Sequence, residues 1–82
     1  MHIPHELPDE FPEEAALLAR LTKANHDFGR LAERYNDTNR QIFRIESGDE
    51  PTADEVLERL KKERLELKDE IARMLTQVER RM

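Results

Sequence analysis

From Leu17 onward the apolar residues of this chain recur in alternating steps of four and three, and nothing else in the sequence limits the fold as much. The series Leu17, Leu21, Ala24, Phe28, Leu31, Tyr35, Thr38, Ile42 and Ile45 holds a seven-residue period with one polar member, Thr38. Such a stripe is the buried seam of a helix packed on another helix, whereas a strand would alternate at every second residue. A second series has the same period: Leu57, Leu60, Arg64, Leu67, Ile71, Met74 and Val78, with Arg64 the polar member.

Between the two series stands Ser47-Gly48-Asp49-Glu50-Pro51. Gly48 can take the left-handed conformation that closes a helix, and a proline soon after prevents its continuation. Thr52 followed by Glu55 has the spacing of a capping box, a helix start signal. The spacing predicts a first helix over 13–46, a loop over 47–51 and a second helix over 53–81. Pro12 reads as the first helical residue, with Glu13 and Glu14 favoured by the helix dipole. Residues 1–11, rich in proline, read as an extended arm ahead of a hairpin spanning 12–82. Gly29 lies off the seam and is expected to cost only ~1 kcal/mol relative to alanine. Straight helices of these lengths would run about 50 and about 44 Å. A five-residue loop leaves them antiparallel.

The fold class is thus all-α, an antiparallel two-helix coiled-coil hairpin. Its register is expected to place Thr38 and Arg64 in one layer, since a slip by one heptad would set Arg64 against Leu31. Two roles are open to Arg64, and they are compatible: it fixes that register, or it packs its stem while its guanidinium reaches water. Along the second helix, Glu55–Arg59, Glu58–Lys62 and Asp69–Arg73 have the acid-before-base spacing of four that supports a helix. A further stripe of Leu18 and Ala32 on the first helix, with Leu65, Ala72, Leu75 and Met82 on the second, would be wet in a lone hairpin. One seam is a thin core, and the chain has no cysteine to staple it. The expectation is a homodimer that closes this stripe into a four-helix bundle.

The residues His5-Glu6-Leu7 and Phe11-Pro12 in the arm, then His26, Phe28, Leu31 and Tyr35, then Ile42, Arg44 and Glu46, carry a resemblance. So does the run Leu57-Glu58-Arg59-Leu60-Lys61-Lys62-Glu63-Arg64-Leu65-Glu66-Leu67-Lys68-Asp69-Glu70-Ile71, closed by Met74-Leu75. They make the chain resemble the YdcH-like small bacterial proteins of unknown function. The resemblance implies a bacterial source and a coiled-coil hairpin, and implies no activity.

Charge narrows the function classes. Forty per cent of the residues are charged and the net charge is −5, which disfavours nucleic acid and anionic lipid unless the bases are segregated. They are not: six bases and nine acids fall in 1–46, eight and ten in 47–82. Lys61, Lys62, Arg64 and Lys68 form the densest basic group, but Glu58, Glu63, Glu66, Asp69 and Glu70 are interleaved with them and no aromatic lies nearby to stack a base. No run approaches the ~20 apolar residues of a membrane span. The N-terminus lacks the apolar core of a secretory signal, so a cytoplasmic location is expected. His2 and His5 flank Pro4 and read as solvated histidines, since a metal site wants three or four ligands and a supporting shell. His26 falls on the outer face. A two-helix hairpin has no concave pocket in which paired carboxylates would be dried for acid–base work. The sequence reading is therefore no enzyme, no cofactor and no metal. It leaves a non-enzymatic coiled-coil interaction or scaffold module, binding itself and an unidentified protein. The alternative is a nucleic-acid-associated regulator using the basic group.

Overall fold

The computed structural model describes residues 3–81. Among these the regular elements are all helical: α1 (Leu7–Glu10), a single 3-10 turn (Pro12–Glu14), α2 (Ala15–Ala24), α3 (His26–Glu46) and α4 (Asp54–Arg81). The molecule measures 45 × 25 × 20 Å, and α4 runs its length.

The loop after α3 closes as its residues require. Gly48 sits at φ +82°, its N–H donates to the Ile45 carbonyl at 3.1 Å, and the Asp49 N–H donates to the Arg44 carbonyl at 3.0 Å. This pair of bonds is the Schellman closure, and glycine makes it without a Cβ penalty. The start of α4 differs from the expected capping box. The Ala53 carbonyl accepts the first helical bonds, while the Thr52 hydroxyl turns back to the Glu50 carbonyl at 3.5 Å. The loop accordingly extends to residue 53.

The expected single helix over 13–46 is two helices. Asn25 has extended backbone (φ −122°, ψ 112°), and its side chain accepts the Phe28 N–H at 3.0 Å as the N-cap of α3. An asparagine cap competes well with one more helical residue. The chain reverses there, and α2 lies back antiparallel on α3, with Thr22 against Gly29 and Leu18 beside Ala32. Gly29 makes the reversal possible: a Cβ there would sit 2.9 Å from the Thr22 carbonyl oxygen. Its role is close approach between helices, which its position off the seam did not suggest. Pro12 opens the 3-10 turn, not an α-helix. The arm is not wholly extended either, since the Glu6 N–H donates to the Asp9 carboxylate at 3.3 Å and a helical turn follows.

Because α2 folds back, three positions assigned to the hairpin seam leave it. Leu17 and Leu21 are half-buried against the core from the α2 side, and Ala24 is exposed. The rest of the seam packs between α3 and α4: Phe28, Leu31, Tyr35, Thr38 and Ile42 from α3, with Leu60, Leu67 and Ile71 from α4, are buried. Ile45, Leu57, Arg64, Met74 and Val78 are half-buried at its margins.

The fold-back also covers most of the stripe expected to join two copies. Leu18, Ala32 and Leu75 are buried within the chain itself, in one core with Leu7. Leu65 is exposed, Ala72 is half-buried, and Met82 lies outside the described residues. For Leu18, Ala32 and Leu75 the assignment to an interface between copies is thus corrected: α2 folds back and the three side chains fill the core of one chain.

Candidate functional site

The most chemically loaded place is where the N-terminal segment meets α3 and α4. Tyr35 and Asn39 stand one turn apart on α3 and are 0 % and 2 % exposed. Both polar groups are used on the arm's backbone. The Tyr35 hydroxyl donates to the His5 carbonyl at 2.5 Å, and the Asn39 amide donates to the Pro4 carbonyl at 3.0 Å. His5 is the one non-glycine among the described residues with positive φ, +63°. Histidine tolerates this region better than most residues, and the two carbonyl bonds hold it there. Leu7 then enters the core, and Glu10 reaches α4, where its carboxylate lies 3.3 Å from the Lys68 amine and 3.4 Å from His5 Nδ1.

Arg64 completes the layer. Its guanidinium donates to Asn39 Oδ1 at 2.9 Å, so one amide joins arm, α3 and α4. Arg64 thus lies one residue from the expected Thr38 pairing and far from Leu31. Of the two roles open to a seam arginine, this specific bond between helices is the kind that fixes a register. His5, Glu10, Tyr35, Lys61, Arg64, Leu65 and Lys68 together line an open recess of about 160 Å³.

Burial pushes the Tyr35 hydroxyl up to about 12; the Glu10 carboxylate adds to this, Arg64 opposes it, and Asp9 adds a smaller push. Tyr35 is therefore a neutral donor at physiological pH, suited to holding a carbonyl. The half-exposed pairs around it are each worth at most ~1 kcal/mol. Among the described residues no buried side-chain nitrogen or oxygen lacks a partner, and no three His, Asp or Glu side chains gather as metal ligands would. His26 is exposed, and His2 lies outside the described residues.

Three of the four bases in the group read as a possible nucleic-acid contact already have partners in the chain: Lys61 with Glu46 at 3.0 Å, Arg64 with Asn39, and Lys68 with Glu10. Lys62 is exposed. The expected acid–base pairs along α4 are not closed among the described residues. Lys61 and Lys68 instead tie α4 to other elements. No described helix is long and apolar enough to cross a membrane.

The sequence reading missed Asn39, Asn25, Pro4 and Glu10. Asn39 and Asn25 carry a signal in hindsight, because they fall on the same helical flank as Leu18 and Ala32, at seven-residue spacing. Pro4 acts through its carbonyl, which no side chain announces.

Fold and site define a small all-α protein in which a latched N-terminal segment is docked on an antiparallel helix pair. The chain belongs to the DUF465 family, described as a protein of unknown function, which it matches over residues 28–75. That span holds Tyr35, Asn39 and Arg64, together with most of α3 and α4. The chain is also similar to the uncharacterized protein YdcH of Escherichia coli (strain K12) and to that of Shigella flexneri. Each is 36% identical over 67 residues, covering 82% of this chain and 90% of the relative. No solved structure matches.

Proposed function

We propose that this chain is a small protein-interaction module without catalysis, working in the cytoplasm, whose partner-facing surface is the flank of α4 around Leu65. The observation that carries this reading is the exposure of Leu65, 57 %, the one large hydrophobic residue in the open among those described. Lys61 and Lys68 stand about one turn to either side, with 38 % and 36 % of their side chains open. An apolar contact ringed by charge has the anatomy of a small interface core with a polar rim. Their amines pair with Glu46 at 3.0 Å and Glu10 at 3.3 Å, on the two sides of the leucine.

Site-specific photo-cross-linking in bacterial cells tests this. A photoreactive residue at position 65 should give an adduct of discrete mass, found in the cytoplasmic fraction. The same group at exposed Gln77 should give none. An adduct of twice the chain mass would identify a second copy as the partner, and any other discrete mass a different protein. No intermolecular adduct at 65, or equal adducts at both positions, would sink the proposal.

A further inference from the structure

We infer that this chain forms a domain-swapped dimer, in which α2 straightens onto α3 at Asn25 and each copy's N-terminal latch docks on the α3–α4 pair of the other. The occupant of the latch site is then the same segment of a second copy, so Glu10 and the backbone of Pro4 and His5 come from the partner. The inference stands independently of the Leu65 flank.

Three observations carry it. The first is that the seven-residue period does not register the break. Leu17, Leu21 and Ala24 run on to Phe28, Leu31 and Tyr35 without a change of step, so the sequence supports a straight helix as well as a bent one. The second is how little separates the two. On either side of the break the helical bonding persists, with Asn25 N–H on the Leu21 carbonyl at 2.8 Å and Gly29 N–H on the Asn25 carbonyl at 2.9 Å. Rotating the backbone of one residue would close the helical bonds of residues 26, 27 and 28 and give up one side-chain cap. The hinge is a single residue, and short hinges that force a tight reversal favour exchange.

The third observation is that the contacts are ready for exchange. The latch bonds Pro4–Asn39, His5–Tyr35 and Glu10–Lys68, and the shared core of Leu18 with Ala32, all cross from the segment before Asn25 to the body after it. A second copy can supply each of them unchanged, which is what makes swapping a low-cost route to a dimer. The pairing is also symmetric about the hinge, with Thr22 against Gly29 and Leu18 near Ala32. Two straightened helices would therefore lie antiparallel with the two-fold axis at Asn25. With both α4 helices they make a four-helix assembly from swapped parts.

Two substitutions push the equilibrium in opposite directions. Asn25→Ala removes a cap present only in the bent chain, twice per dimer, and should tighten dimerisation roughly thirtyfold. His26→Pro should lock the monomer. Proline suits the first helical position of α3, holds the preceding residue in the extended region that Asn25 already occupies, and would break a straight helix. Sedimentation equilibrium of the full chain, from micromolar to several hundred micromolar, reads both shifts. Exchange itself is read by refolding unlabelled and ¹⁵N-labelled chains together and joining carboxylates to amines with a carbodiimide. In the isolated dimer, Glu10–Lys68 cross-linked peptides should carry mixed labels in about half the pairs; in the monomer all should carry one label. A wild type and an Asn25→Ala variant that both stay monomeric would overturn the inference. So would a dimer whose Glu10–Lys68 links are all of one label, or a His26→Pro variant that dimerises like wild type.

Discussion

Tyr35 is the only tyrosine, and there is no tryptophan, so the latch carries its own spectroscopic reporter. Its pKa is raised from 10.0 to about 12 in the folded chain. The neutral form is thus the one the fold favours. Below pH 10 the stabilisation is fully present, and it is lost as pH rises through 12. Phenolate absorbance should therefore titrate near pH 12 in the folded protein and near 10 in denaturant, with the urea midpoint falling between those values. In Tyr35→Phe the part of that fall owed to the phenol should disappear. Asn39 bonds in two directions, and Asn39→Ala would leave the Pro4 carbonyl and the Arg64 guanidinium short of a partner each. Its cost should be about 1–3 kcal/mol, read as a lower urea midpoint with unchanged slope.

The two glycines act through different elements. At Gly48 a methyl group would meet nothing within 4 Å, so Gly48→Ala should cost only the left-handed backbone penalty of about 1–2 kcal/mol. At Gly29 the sign of the usual rule reverses. Alanine in an exposed helix would gain ~1 kcal/mol, but here its methyl would meet the Thr22 carbonyl oxygen at 2.9 Å. That oxygen is backbone and cannot swing aside, so α2 must lift from α3. Gly29→Ala should lower the thermal midpoint and expose the Leu18–Ala32 contact, seen as faster amide exchange in α2 than in α4.

At the scale of the molecule, one core unites arm, α2, α3 and α4, and Ile71 lies at its centre, 0 % exposed. Ile71→Ala should cost about 2–5 kcal/mol in denaturant unfolding. Leu65→Glu, six residues away on the same helix, should change monomer stability by no more than about 0.5 kcal/mol. A much larger loss at Leu65 would mean that residue is already covered in solution.

What the sequence determined by itself is local or periodic. The end of α3 at Ser47-Gly48 follows from residues a few positions apart, through the freedom of glycine to take positive φ. The packing of Phe28, Leu31, Tyr35 and Ile42 on Leu60, Leu67 and Ile71 follows from a period that leaves those side chains one apolar face to bury. The register followed from placing two polar flaws together, though the bond to Arg64 comes from Asn39 and not from Thr38. Tertiary structure alone decided the reversal at Asn25, since bent and straight chains satisfy the same heptads and differ by a cap against a few backbone bonds. It also decided that Leu18, Ala32 and Leu75 are spent in one core with Leu7. And it decided the latch, because Pro4 and His5 act through backbone carbonyls, which every residue carries, and only folding brings those two within reach of Asn39 and Tyr35.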